Sequence, residues 1–99
     1  MAVCRIVKTN ATPEQYDSIF EKLSTSGAPT ASRTLHIAAV GEDGKIRVIE
    51  VWESRDDSEA FGEAVRTARE ELGIPEPASM SLLGERSWYA PGPLRRSRL

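Results

Sequence analysis

The sequence predicts an α+β fold in which strands and helices follow one another in the order β-α-β-β-α-β. Two amphipathic segments with helix start and stop signals, and one hairpin signal between two β-branched runs, predict this order. Such an order is typical of a four-stranded antiparallel sheet with both helices on one face. With 99 residues, of which 39% are hydrophobic and 28% charged, the chain has the composition of a globular domain with one core.

The first strand and the first helix are predicted at the start of the chain. Residues 2–9 (AVCRIVKT) are rich in β-branched and apolar side chains and too short for a typical helix. A helix begins after Thr12, which caps the first amides, with Pro13 at the first helical position and Gln15 completing a capping box. It is expected to end near Ser24. Its core-facing stripe has helical spacing and consists of Tyr16, Ile19, Phe20 and Leu23.

The second helix and the last strand complete the predicted domain. The helix begins within residues 54–58 and ends where Gly73 allows a left-handed backbone and Pro75 prevents continuation. The fourth strand runs from residue 80 to about residue 88, with Gly84 at a bulge or a close approach. The predicted buried stripe of the helix is Ala60, Phe61, Ala64, Val65, Ala68 and Leu72.

A β-hairpin is predicted from two strand-like runs, at residues 33–40 and 46–53. Loop length decides which side chains share a face, because a shift of one residue in register moves every side chain to the other face. A two-residue turn at Asp43 and Gly44 would separate His36 from Glu50, whereas a three-residue loop ending in left-handed Gly44 pairs them. We favour the three-residue loop. It collects an aliphatic face, expected to lie under the helices, from Leu35, Ile37, Ala39, Ile49 and Val51.

The other face of this hairpin is the predicted ligand site. His36 and Glu50 lie directly opposite each other there, close enough for the carboxylate to orient the imidazole as a general base. Trp52 follows two residues later, where its ring could stack on a planar ligand. The predicted apolar lining is Val48, Ala38 and Val40. An alternative stays open, in which the polar pair is buried at a dimer interface and Trp52 only packs.

The remaining reactive residues have structural interpretations. Cys4 lies on a strand without a neighbouring acid or second histidine, so we expect a small buried hydrophobe rather than a nucleophile. A single histidine does not support a metal site, and no cofactor is predicted. Three arginines could contact an anionic substrate, namely Arg33, Arg47 and Arg86. Arginines at strand edges are, however, more often exposed to solvent. Strand packing or an interface accounts for Met80, Trp88 and Tyr89.

Charge and composition limit the partners. The net charge is −2, and three arginines among the last nine residues leave residues 1–90 more acidic than the whole chain. Nucleic-acid binding normally needs a basic face, so no such partner is expected. No apolar run approaches the roughly 18 residues of a membrane span, and the lone cysteine fits a reducing cytoplasm. Residues 1–90 are expected to form a single domain, and residues 91–99 a mobile Arg-rich tail of which 94–99 is dispensable.

At Val51-Trp52-Glu53-Ser54, followed by an acidic helix start and Phe61, the chain resembles the dimeric α+β barrel proteins grouped with the antibiotic biosynthesis monooxygenases. In the order of its strands and helices, the chain resembles this family over about residues 1–89. It implies a ferredoxin-like protomer, and a homodimer whose two sheets pack into a barrel with a cavity in each subunit. The sheet face bearing Val48 and Trp52 is the expected interface, because its apolar residues would be left uncovered by the helices.

The resemblance leaves two functions open. Haem-degrading relatives carry a tryptophan and an iron-ligating histidine on the second helix, and residues 56–72 contain neither, which disfavours haem chemistry. Cofactor-free relatives oxygenate phenolic or quinol substrates that supply their own electrons once deprotonated. By this resemblance His36 and Glu50 would form the base, Trp52 a donor or stacking wall, and one arginine an anion stabiliser. The first function is therefore a cofactor-independent monooxygenase of a small aromatic substrate. The second is a non-catalytic dimeric ligand-binding or structural module.

Overall fold

The computed structural model describes residues 2–84 and contains the six predicted elements in the predicted order. Arg86, Trp88, Tyr89 and the tail at 91–99 lie outside the described residues. The elements are β1 Val3–Lys8, α1 Pro13–Leu23, β2 Arg33–Val40, β3 Ile46–Trp52, α2 Arg55–Glu71 and β4 Ser79–Gly84. The strands form one sheet in the order β2-β3-β1-β4, with every neighbouring pair antiparallel. This is the ferredoxin-like β-α-β-β-α-β arrangement.

The helix boundaries have the capping chemistry that the sequence predicts. Thr12 accepts a hydrogen bond from the Gln15 amide at 3.3 Å, and the Gln15 side chain accepts one from the Thr12 amide at 2.9 Å. At the end of α2, Gly73 has φ +70° and its amide donates to the carbonyl of Glu70. The next amide, that of Ile74, donates to the carbonyl of Arg69 at 3.0 Å, which completes a Schellman motif.

The hairpin has the three-residue loop. The Gly41 amide donates to the Lys45 carbonyl at 2.8 Å, and Gly44 is left-handed with φ +78°. His36 therefore pairs with Glu50, as the favoured register predicts.

The assignment of sheet faces to the helices was wrong. The helices cover the face that carries Val48, Glu50 and Trp52, which are 6%, 3% and 0% exposed. Both faces of the hairpin carry aliphatic residues, so hydrophobic content does not decide which of them the helices cover. The uncovered face, which we call the open face, carries exposed aliphatic side chains from all four strands: Ile6, Leu35, Ile37, Ile49 and Leu83.

Three smaller predictions also need correction. Leu72 is 38% exposed because it is the C-cap residue of α2, and Ile74, at 4%, takes its place in the core. Ala60 is exposed as well. Gly84 pairs regularly with Val3, and a β-carbon there would meet no heavy atom within 4 Å, so it marks neither a bulge nor a close approach.

Candidate small-molecule cavity

A cavity of about 710 Å³ lies between the sheet and the two helices. Its lining comes from β1, β3 and β4 on one side and from α1 and α2 on the other. Most of its wall is apolar, as in sites that bind small organic molecules. The apolar lining includes Val7, Ile19, Phe20, Phe61, Val65 and Leu82.

One polar wall of the cavity is built around Tyr16 of α1. The Tyr16 hydroxyl and Nε2 of His36 are hydrogen-bonded at 2.8 Å. The Tyr16 side chain belongs to the lining, whereas His36 lies behind it and is not part of the wall. Phe20 packs against both rings, with centroids 4.8 Å from Tyr16 and 5.3 Å from His36. The Tyr16 phenol therefore lies between the cavity and the His36 imidazole.

Glu50 of β3 connects this pair to a second group of side chains. Its Oε2 lies 3.2 Å from Nη1 of Arg33 and 3.7 Å from Nε2 of His36. Its Oε1 accepts a hydrogen bond from Nε1 of Trp52 at 3.3 Å. The predicted juxtaposition of His36 and Glu50 is present, but their separation is longer than a hydrogen bond. The carboxylate acts on the imidazole as a nearby charge.

A β-bulge in β2 places Arg33 beside Glu50. Arg33 pairs with Trp52 while Leu35 pairs with the adjacent Val51, so Thr34 is the extra residue. Without the bulge, Arg33 and His36, three positions apart, would point to opposite faces. With it, both side chains face the helices, and the Arg33 guanidinium also lies over the ring of Trp52 at 5.7 Å. The bulge is therefore a structural requirement of this polar group.

Burial and neighbouring charges shift the pKa values of His36 and Tyr16. Burial lowers the pKa of His36, the Arg33 charge lowers it further, and Glu50 opposes both effects. Burial, with Glu50 second, raises the pKa of the Tyr16 phenol well above its usual range. At neutral pH the phenol therefore has a proton to donate. The neutral imidazole, protonated on Nδ1, can accept it at Nε2.

Several solved structures are similar to this chain in fold. A candidate antibiotic biosynthesis monooxygenase from Chloroflexus aurantiacus J-10-fl has a TM-score of 0.59 and 19% identity, over 93% of this chain and 100% of that chain. Rv0793 of Mycobacterium tuberculosis has a TM-score of 0.55 and 17% identity, over 85% of this chain and 94% of that one. A mutant of SnoaB, a cofactor-independent oxygenase from Streptomyces nogalater, has a TM-score of 0.53 and 15% identity, over 88% and 93%.

The chain has the antibiotic biosynthesis monooxygenase fold. This confirms, at the level of fold, the resemblance that the Trp52 motif indicates. No model of a protein family and no curated protein matches the sequence.

Within the monooxygenase-like fold, the predicted lining residues have different positions. Val48 lines the cavity as expected. Trp52 is fully buried against Phe61, with ring centroids 5.3 Å apart, so it packs and holds Glu50 rather than stacking on a ligand. Ala38 and Val40 share the face of His36 but are exposed and lie outside the wall, on the edge strand β2.

Four polar side chains of the wall are not among the site residues that the sequence predicts: Tyr16, Arg5, Arg66 and Arg69. Tyr16 was assigned to the packing stripe of α1, although a phenol within an otherwise apolar stripe is a signal that it meets a polar partner. Arg5 alternates with the apolar Val3 and Val7 on the helix-facing side of β1. A charged residue at such a position points to a cavity or an ion pair rather than to a packed core.

Other candidate residues lie apart from the cavity. Arg47 pairs with Asp43 at 3.0 Å on the hairpin. Cys4 is half-buried on the open face, where burial raises the pKa of its thiol. Among residues 2–84, no three potential metal ligands cluster. None of the helices in that part of the chain has both the length and the apolar character needed to span a bilayer.

Proposed function

We propose that this protein binds a small phenolic or quinol molecule in the cavity and oxygenates it without a cofactor. The observation that carries the proposal is the Tyr16 phenol on the wall of a largely apolar cavity of about 710 Å³, hydrogen-bonded at 2.8 Å to a histidine whose pKa burial lowers. Similarity of fold to a cofactor-independent oxygenase supports the same reaction class.

The first step is removal of a proton from the substrate hydroxyl. The Tyr16 oxygen accepts this proton while the Tyr16 proton moves to Nε2 of His36. A concerted transfer is required, because the raised pKa of Tyr16 disfavours a free phenolate. The resulting imidazolium lies 3.7 Å from the Glu50 carboxylate, which stabilises its charge.

The second step is reaction of the substrate anion with dioxygen. The anion gives one electron to dioxygen, and the two radicals combine into a carbon-bound peroxide anion, which takes the proton held by His36. The hydroperoxide then loses water and leaves a carbonyl. Over the cycle, two hydrogens of the keto tautomer's methylene carbon and one oxygen atom form water. The other oxygen atom remains on carbon, so no external reductant is needed.

Turnover of 1,8-dihydroxyanthrone, followed by oxygen uptake and quinone absorbance, tests this function. We expect His36→Gln and Tyr16→Phe each to lower kcat/KM by about 10²-fold, the usual contribution of general acid-base catalysis. Ser18→Ala is the matched control, because it removes a hydroxyl on the same helix that donates to the Glu14 carbonyl and is not part of the cavity lining. Equal rates in both site variants and the wild type would refute the relay.

A second candidate function is non-catalytic binding of the same class of molecule. The observation in its favour is that His36 lies behind Tyr16 and does not form part of the wall. A cavity of about 710 Å³ exceeds the roughly 300 Å³ of a small ligand site, which favours binding over a purely structural role. Saturable binding of the anthrone without oxygen uptake above the protein-free rate would support this candidate.

We also propose a homodimer, joined through the open face rather than through the face of Val48 and Trp52. The open face carries Leu35, Ile37 and Ile49 at 42%, 48% and 39% exposure, which is unusual for adjacent aliphatic residues of a sheet. Face-to-face packing of two sheets would cover these side chains. The cavity lies on the opposite side of the sheet and would remain open in such a dimer.

A further inference from the structure

Arg5 projects from the central strand β1 into the cavity without a carboxylate partner among the described residues. The two other arginines of the lining have partners, since Arg66 pairs with Glu63 and Arg69 bonds to the Ile74 carbonyl at 2.8 Å. The hydrogen-bond contact of Arg5 is a long one, 3.5 Å from Nη1 to the Ser58 carbonyl. Its guanidinium is therefore partly buried, and within residues 2–84 most of its donors have no protein acceptor.

The cross-strand neighbour of Arg5 does not form an ion pair with its guanidinium. Glu50 is opposite Arg5 in the register of β1 and β3. Its carboxylate is instead held by Arg33 at 3.2 Å and by Trp52 at 3.3 Å. The wall thus carries two polar groups from different elements: the Tyr16 phenol of α1 with its relay, and the Arg5 guanidinium of β1.

Gly62 of α2 provides the space that the guanidinium occupies. A β-carbon at this position would lie 2.6 Å from Nη2 and 2.8 Å from Nη1 of Arg5. These distances are shorter than van der Waals contact, so a larger residue at position 62 would displace the guanidinium. A helix with glycine at an interior position is less stable than the same helix with alanine there. Its presence is explained by the close approach of Arg5.

We infer that Arg5 binds an anionic group of the ligand, and that the ligand is an aromatic hydroxy acid rather than a neutral phenol. The planar guanidinium matches a carboxylate in a bidentate arrangement, and the apolar residues around it strengthen a charged hydrogen bond. The carboxylate would orient the aromatic ring relative to Tyr16. This inference rests on the proposed ligand cavity and extends it to the substrate class.

Calorimetric binding of 6-hydroxy-2-naphthoate and 2-naphthol, both without oxygen, tests the inference. The two probes differ only in the carboxylate, and the absence of oxygen separates binding from turnover. We expect the wild type to bind the naphthoate at least about tenfold more tightly, as for a charge-assisted hydrogen bond. Arg5→Gln should abolish this preference, and Arg5→Lys should retain part of it.

Gly62→Ala tests the role of Arg5 in a variant that is expected to stay folded, so a lost preference for the naphthoate would not be explained by unfolding. The flexible guanidinium can move aside, so the variant should keep or raise its Tm while losing the preference for the naphthoate. Thr67→Ala, on the same helix but outside this cavity, should keep the preference.

The outcomes separate the inference from the proposed function. Equal binding of both probes by the wild type would overturn the role of Arg5 and leave the cavity proposal intact. Binding of neither probe would overturn the cavity proposal, and this inference with it. Retention of the preference in Gly62→Ala would overturn the placement of the anion at Arg5.

Discussion

The hydroxyl of Tyr16 lies 2.8 Å from Nε2 of His36, and this contact joins the cavity wall to the imidazole on the edge strand of the sheet. Tyr16 is on α1 and His36 on β2, 20 residues apart in sequence. On one side the phenol meets the ligand space, and on the other the imidazole meets Glu50. The protonation state of His36 therefore decides whether the pair can accept a proton.

The titration of His36 should report its surroundings directly, because it is the single histidine of the chain. We expect its pKa to lie below 6.5 in the folded protein, with burial as the largest cause and the Arg33 charge as the second. Arg33→Gln should raise this pKa, and Glu50→Gln should lower it further. NMR of the imidazole C–H signals measures all three. Arg47→Gln, which changes an arginine on the hairpin, is the control; shifts of the same sign in the two site variants would contradict the assignment.

The lowered pKa of His36 also predicts that the stability of the protein depends on pH. The folded protein binds a proton on His36 less readily than the unfolded chain, so the free energy of unfolding should decrease as pH falls below about 6.5. The decrease should stop once pH is below the folded pKa. Comparing urea denaturation of the wild type and His36→Gln isolates this contribution. Identical pH profiles for the two proteins would show that His36 does not titrate differently on folding.

The open face should be the dimer interface. Ile37→Lys places a charge among exposed aliphatic side chains, and we expect it to convert a dimer into a monomer at micromolar concentration in sedimentation equilibrium. Val40→Lys is the matched control, because Val40 is on the same strand with 57% exposure but faces the other way. A wild-type monomer at this concentration would disprove the homodimer. Disruption by Val40→Lys alone would place the interface on the other side.

The Schellman motif after α2 should make a measurable contribution to stability. Gly73 has φ +70°, a conformation that costs alanine about 1 kcal/mol, so Gly73→Ala should lower Tm by roughly 4–8 °C. Gly84→Ala, at a glycine without positive φ or close neighbours, should change Tm little. Scanning calorimetry checks both. Equal Tm values for the two variants would mean that the helix end relaxes without strain.

Local signals in the sequence determined the secondary structure and the register of the hairpin. Thr12 and Gln15 specify a capping box through contacts three residues apart, and Gly73 specifies a helix end through its own backbone. Gly44 determines the loop length, which in turn pairs His36 with Glu50. Each of these features depends on a few neighbouring residues, so each is readable without knowledge of the tertiary structure.

The tertiary structure alone decided which sheet face the helices cover and what surrounds the candidate site. Both faces of the hairpin carry aliphatic residues, so hydrophobicity could not choose between them. Nothing in the sequence around Arg33 marks the bulge that turns it toward Glu50. The contact of Tyr16 with His36, and that of Arg5 with Gly62, join elements distant in the chain. Such contacts depend on how whole elements pack, and a local pattern carries no information about that packing.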